Sequence, residues 1–314
     1  MTALILLYAG SFIFSYDRTN TRSASHLWID SGAALKVNRI VLNSGREEFE
    51  LLRKNDQWFI NVNNSEYPAR RLRVEDFLNI FTTRSSWPVR SSSASSHERY
   101  GLGSSASRVT MYADNSILLD LYLGDDDIMG NESYYRKIGQ NEVRSGSSAV
   151  RTYLTGSVTS WYNLRLIPES ENGKISINDV QRLTVINGED NQIFSRSGRT
   201  WNITGINIAN PDMKNAEEYI NFILNAEGED LIASDGYIQN QLPEHFPVRV
   251  SEIDFNHSRI MLEMGNGGIL TISVSDSDEA GKRYAKISNN NYIFQIPAWV
   301  SLRLFRDPGS FEAE

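Results

Sequence analysis

The sequence predicts an α+β fold: two tandem β-β-β-α-β-β-β repeats, each a mostly antiparallel sheet packed by one helix. Three observations carry this expectation. A module is written twice in the chain; apolar alternation of period 2 dominates each copy; and one stretch per copy has the i, i+3, i+4, i+7 spacing of an amphipathic helix. A length of 314 residues agrees, since about two domains fit such a chain.

The duplication is read first because it decides the fold. Set without a gap, Val37 to Ile60 meets Val180 to Ile203 with identities at Val37/Val180, Arg39/Arg182, Gly45/Gly188, Arg53/Arg196, Trp58/Trp201 and Ile60/Ile203. Average composition would give about one or two matches in such a window. Further on, Glu75 and Asn79 fall on Glu217 and Asn221, with apolar neighbours in step. Each copy then closes on a Trp followed by Leu-Arg-Leu: Trp161 with Leu164–Leu166, and Trp299 with Leu302–Leu304. The two tryptophans of each pair, Trp58/Trp201 and Trp161/Trp299, are expected at equivalent places.

Within one copy the elements follow in order. Val37–Leu42 has strand composition and ends at the turn Asn43-Ser44-Gly45, matched by Asn187-Gly188. Phe49 and Leu51 alternate along a second strand, Asn55-Asp56 turns the chain, and Trp58, Ile60 and Val62 alternate along a third. Alternation puts these side chains on one buried face, so Trp58 and Trp201 are read as core residues. Val74, Phe77, Leu78 and Phe81 form the helical stripe, repeated by Ala216, Tyr219, Ile220 and Ile223. Asn210-Pro211-Asp212 signals the start of the second helix. A serine-rich loop follows the first helix. Strands are then expected at Arg108–Tyr112 and Ile117–Leu123, at Arg259–Glu263 and Ile269–Val274, and around Tyr135–Ile138 and Tyr284–Ile287.

The organisation expected is a hydrophobic segment at 1–16, a tether at 17–34, the first repeat at 35–167, a linker at 168–178, the second repeat at 179–306 and a tail at 307–314. Ala3 to Tyr16 carries no charge. As a helix it would reach about 21 Å at 1.5 Å per residue, short of the roughly 30 Å hydrocarbon core. It reads as a signal-peptide core or a signal anchor, with a buried N-terminal strand or helix as the alternative. The expectation is a membrane-anchored protein facing away from the cytoplasm.

Composition narrows the chemistry. A net charge of −8 speaks against a nucleic-acid partner, which leaves a basic footprint. Cysteine is absent, so disulfides and thiolate metal sites are excluded. No G-x-G-x-x-G follows a strand, and neither a phosphate loop, H-E-x-x-H nor G-x-S-x-G occurs. His26, His97, His245 and His257 are read as solvated loop residues. Asp125-Asp126-Asp127 fails as a calcium loop, because Met129 and Arg136 stand where a fifth-position Asp or Asn and a twelfth-position Glu would be needed. Its counterpart, Asp276-Ser277-Asp278-Glu279, is likewise read as a solvated turn. No catalytic, cofactor-binding or metal-binding residue is expected.

One cluster is singled out. Arg70, Arg71 and Arg73 stand at the start of the first helix, where cations oppose the helix dipole. Local stability does not explain them, so they are the candidate contact with a partner, beside the plainer reading of a charged solvated face.

The uncharged N-terminal stretch, the strand-turn-strand ending at Trp58, the V-x-x-F-L helix, Tyr100-Gly101-Leu102 and the strand end Leu123-Gly124 together resemble a bacterial domain-of-unknown-function family, number 4340. The resemblance implies a membrane-anchored envelope protein, of a kind commonly encoded beside ABC transporters of the gliding-auxiliary type, and no catalytic residues. The leading expectation is a non-catalytic, membrane-tethered accessory protein with a protein partner in an envelope or transporter complex. The alternatives are a carboxylate-dependent hydrolase of envelope glycans and a ligand-binding module using the groove between the repeats.

Overall fold

The computed structural model describes residues 25–62, 65–169, 174–205, 208, 210–233, 253–278, 281–288 and 290–313. The apolar segment 1–16 and His245 lie outside them. The chain divides into two compact units, Met1–Trp161 and Tyr162–Glu314.

The first unit opens with β1 (Ser25–His26) and α1 (Ser31–Ala34), then β2 (Arg39–Asn43), β3 (Glu48–Lys54), β4 (Gln57–Val62) and β5 (Ser65–Pro68). Next come α2 (Arg71–Thr82), β6 (Ser85–Ser86), β7 (Val89–Ser91), β8 (Ser107–Ala113), β9 (Ser116–Asp126), β10 (Glu132–Lys137), β11 (Val143–Ser147) and α3 (Ala149–Thr155). Nine strands form one antiparallel sheet in the order β5-β4-β3-β2-β8-β9-β10-β11-β7, and β1 pairs with β6 in a two-stranded ribbon. The registers Ile40↔Leu51 and Leu51↔Ile60 align the alternating apolar residues on one face. Leu42, Phe49 and Trp58 join them there, all buried. Asn55 and Asp56 both take positive φ, 49° and 61°, the backbone that matches strand twist in a two-residue hairpin. Against the apolar face α2 lays Val74, Phe77 and Phe81, none of them exposed. Burial of each such side chain is worth about 1.5–3 kcal/mol.

The second unit comprises β12 (Val180–Asn187), β13 (Asp190–Ser197), β14 (Thr200–Thr204), α4 (Met213–Asn225), β15 (Asp230–Ala233), β16 (Ser258–Met264), β17 (Ile269–Val274), β18 (Arg283–Ile287), β19 (Tyr292–Ile296) and α5 (Ala298–Leu304). Its eight strands run β14-β13-β12-β16-β17-β18-β19-β15. Asp212 is the N-cap of α4, accepting from the N–H groups of Lys214 and Asn215, as the Asn-Pro-Asp signal predicts. Residues 164–166 are tied into this unit: Leu166 N–H donates to Ala226 O at 2.9 Å, and Gly228 N–H to Leu164 O at 2.8 Å.

The fold class expected from the sequence is overturned. Among the described residues 43% lie in strands and 23% in helices. The molecule is β-rich, built on antiparallel sheets of nine and eight strands, not an α+β pair of β-β-β-α-β-β-β repeats with one helix on each sheet. Short strands made the difference. β5, β7 and β15 have only three or four residues, too few for period 2 to be read. Two further seven-residue helices, α3 and α5, also bury apolar residues: Val150 and Leu154 in one, Val300 and Leu304 in the other.

The pairing of Trp161 with Trp299 is also corrected. Trp161 ends a 3-10 helix, Val158–Trp161, and is fully buried, whereas Trp299 stands on α5 and is 61% exposed. The residue placed like Trp161 is Phe311, last in the 3-10 helix Pro308–Phe311 and fully buried. The Leu-Arg-Leu match misled because Leu302 and Leu304 point opposite ways on α5, one 74% exposed and the other buried.

Candidate functional site

A surface groove of about 410 Å³ lies on the first unit, beside α1 and the β3–β4 hairpin and along the exposed side of α2. Its construction begins at Asp30, whose carboxylate caps α1 by accepting Ala33 N–H at 2.9 Å. Arg53 then holds the turn after α1 to the hairpin. Its Nη1 donates to Leu35 O at 3.1 Å and its Nη2 meets Asp56 Oδ1 at 2.7 Å. Trp58, opposite Arg53 in the ladder, is 6% exposed and contributes the rim of its ring. From α2 come Arg71 and Glu75, ion-paired at 2.9 Å one turn apart, with Asn79 beyond them. Leu35 is 78% exposed at the lip.

Five groove residues are among those the duplicated segments share: Val37, Arg53, Trp58, Glu75 and Asn79. Packing explains part of this. In the second unit Arg196 again faces its Trp, Trp201, across the ladder. Its Nη1 donates to Asn178 O at 2.7 Å, the same fastening of the segment before the first long strand. Each Trp is 6% exposed, as the alternation predicts. Electrostatically the groove is mixed: Arg53 and Arg71 are each paired, against Asp56, Glu75 and Asp76. It suits a segment with apolar and mixed polar side chains better than a free ion.

The three candidate arginines do not form one patch. Arg70 is the N-cap residue of α2, and its backbone N–H donates to Trp161 O at 2.7 Å. Arg71 lines the groove. Arg73 turns to the other side of the helix, with its guanidinium 4.7 Å from the Tyr153 ring centroid and 4.9 Å from that of Trp161. Burial holds it below the usual arginine range, helped by the charge of Arg70.

The acidic turns serve their own backbone. Asp127 Oδ1 accepts from Asn131 N–H at 2.9 Å and Glu132 N–H at 3.1 Å, and Asp278 Oδ1 accepts from Lys282 N–H at 2.7 Å. Asp126 bonds Ser133 and pairs with Arg151 at 2.8 Å. Among the described residues no three His, Asp or Glu side chains are grouped to hold a metal ion.

Tyr100-Gly101-Leu102 and Leu123-Gly124, far apart in sequence, meet in the structure. Gly124 passes so close that a Cβ there would sit 2.0 Å from Tyr100 O. Gly101 takes a φ of +65°, and Leu102 is 1% exposed. These residues are a packing joint. Sequence reading missed Trp87, 1% exposed, and it missed that His26 lies on a strand with its ring 4.5 Å from that of Trp28. An aromatic neighbour two residues away was the available signal.

Taken together, the geometry defines a β-rich protein of two antiparallel units, the first bearing a groove along its main helix. The chain belongs to the family described as Domain of unknown function (DUF4340), whose model matches residues 58–241. It matches no curated protein and no solved structure.

Proposed function

We propose that the chain is a non-catalytic, membrane-tethered accessory protein of the cell envelope, working with an ABC transporter complex, and that its first unit grips a partner-protein segment along α2. The groove carries this reading. A lip residue as apolar and exposed as Leu35, beside a buried Trp and ion-paired walls, is the composition of a peptide-binding surface. The transporter setting rests on the family resemblance, and the tether on the apolar stretch Ala3–Tyr16. Among the described residues no helix is long and apolar enough to cross a membrane. We also read the units as copies of one module. In each, the first long strand (β2, β12) pairs with its meander neighbour on one side and a later strand (β8, β16) on the other, while a short strand after the main helix (β7, β15) takes an edge.

Site-specific photocrosslinking in native membranes tests the proposal. A probe at Leu35 of the full chain should yield an adduct with a transporter subunit. A probe at Ile117, 56% exposed on the β8–β9 hairpin, should not. Equal labelling from both positions, or none from Leu35, would sink the groove as the contact.

A further inference from the structure

A second, smaller pocket of the first unit has a different chemistry. Its volume is about 150 Å³, and His26, Trp28, Lys137, Gln140, Glu142 and Arg144 line it. At about 30 Å³ per water, it has room for roughly five waters, enough to admit one phosphate group. The wall is pre-shaped. A His97 ring nitrogen bonds Asn141 O at 3.0 Å across the β10–β11 turn, and Gln140 N–H donates to Lys137 O at 3.1 Å. On the other side Trp28 packs edge-on between His26 and Trp87, with ring centroids 4.5 and 5.3 Å away.

The charges do not cancel. Glu142 is the lining carboxylate, and Arg144 takes it at 2.7 Å while also donating to Trp87 O at 2.7 Å. The Lys137 ammonium and the His26 ring have no hydrogen-bond or ion-pair partner among the described residues. Counting Lys137 and Arg144 against Glu142, the lining carries +1 with His26 neutral. Burial, and then the charge of Arg144 with smaller additions from Lys137 and Arg84, holds the His26 ring below the usual imidazole range. An unpaired ammonium beside an ion-paired guanidinium on a concave wall favours an anion there. The geometry points to a binding site for a compact oxyanion, a phosphate or phosphate-ester group, held by Lys137 as the charged donor with His26 and Gln140 beside it. A phosphate monoester carries about −1.5 to −2 near neutral pH, which complements this lining. The site is separate from the α2 groove and stands without it.

Titration calorimetry of the full chain in detergent, with inorganic phosphate at constant ionic strength, is the test. Saturable binding is expected, weakened about tenfold or more by Lys137→Met, the loss of one charge-assisted hydrogen bond. Lys286→Met, at an exposed cation of the second unit, should bind as the parent does. Ring-proton resonances of His26, assigned by their absence in His26→Gln, should move as phosphate is added. That readout holds even if Lys137→Met folds poorly. Absence of saturable heat, parental affinity in Lys137→Met, a static His26 resonance, or acetate binding as tightly as phosphate would each overturn the assignment. Soluble dihexanoyl phosphatidylglycerol distinguishes the sources. Tighter binding of it than of phosphate marks a lipid headgroup and weaker binding marks a free phosphate compound, and both support the oxyanion site.

Discussion

The guanidinium of Arg73 lies over the indole of Trp161, 4.9 Å from the ring centroid. In the second unit Arg306 stands at the same 4.9 Å from Phe311. One arginine comes from the main helix and the other from the segment after α5, yet each covers the aromatic residue that ends a 3-10 helix. The backbone bonds agree: Arg70 N–H reaches Trp161 O and Asp212 N–H reaches Phe311 O, both at 2.7 Å. Each main helix is thus fastened at its N-cap to a buried aromatic corner.

Arg73 and Arg71 should therefore behave differently. Arg73→Ala removes a half-buried cation from two aromatic rings, contacts worth about 0.5–2 kcal/mol each. Loss of about 1–3 kcal/mol in urea unfolding is expected. Arg71→Ala breaks an exposed i, i+4 pair with Glu75, worth about 0.3–0.5 kcal/mol. Were Arg73→Ala as stable as the parent protein, the stacked arginine would be incidental to the fold.

The two closing tryptophans should separate just as clearly. Trp161→Ala empties a fully buried site and should cost about 3–5 kcal/mol. Trp299→Ala truncates a side chain that is 61% exposed, so its effect should stay near about 0.5 kcal/mol. Melting temperatures of the two variants settle the matter. A large loss at Trp299 would mean that the ring is covered in the folded protein.

Gly124→Ala tests the packing joint. The added methyl would meet the backbone oxygen of Tyr100 at 2.0 Å, a clash that no rotamer relieves, and overpacking of this kind costs about 1–3 kcal/mol. Gly188→Ala is the comparison: it has nothing within 4 Å but a φ of +60°, so only the left-handed backbone opposes it, by about 1 kcal/mol. Thermal unfolding should place Gly124→Ala clearly below Gly188→Ala. The reverse order would show that β9 can shift to admit a side chain.

The sequence made some of this legible and hid the rest for physical reasons. Long alternating strands such as β2 to β4, the stripes of α2 and α4, and the Asp212 cap follow from local patterns of several residues. β7, three residues beside Pro88 and a run of serines, has no pattern to read. Residues 17–34 read as a tether although Leu27-Trp28-Ile29 interrupts their polar run, and Ile29 is 5% exposed and donates its N–H to Phe81 O at 3.1 Å. For the groove, Arg71 and Trp58 stood out, but Arg53 joins them only through sheet pairing and Leu35 through the bond its carbonyl accepts from Arg53. The arginine cluster misleads because spacing alone hides direction. At about 100° per helical residue, positions 71 and 73 lie roughly 200° apart, so one faces the groove and the other the aromatic corner.

The N-cap of α2 is where the first unit can be improved. Arg70 holds the cap with φ −70° and ψ 101°, but its side chain makes no capping bond to the helix. Asp212 holds the cap of α4 with nearly the same backbone, φ −78° and ψ 100°, and accepts from two N–H groups. An aspartate at position 70 can therefore adopt the capping geometry without backbone strain, satisfying donors that the helix start leaves open. It also replaces a cation at the positive end of the dipole by an anion. Arg70→Asp should stabilise the unit by about 1 kcal/mol, and Asp212→Ala should destabilise the other by a similar amount. Chemical denaturation of both variants checks the pair. If Arg70→Asp lowers stability while Asp212→Ala does so as expected, the Arg70 side chain contributes more at this corner than a cap can return, and the cluster's role is structural at position 70 as well as at 73.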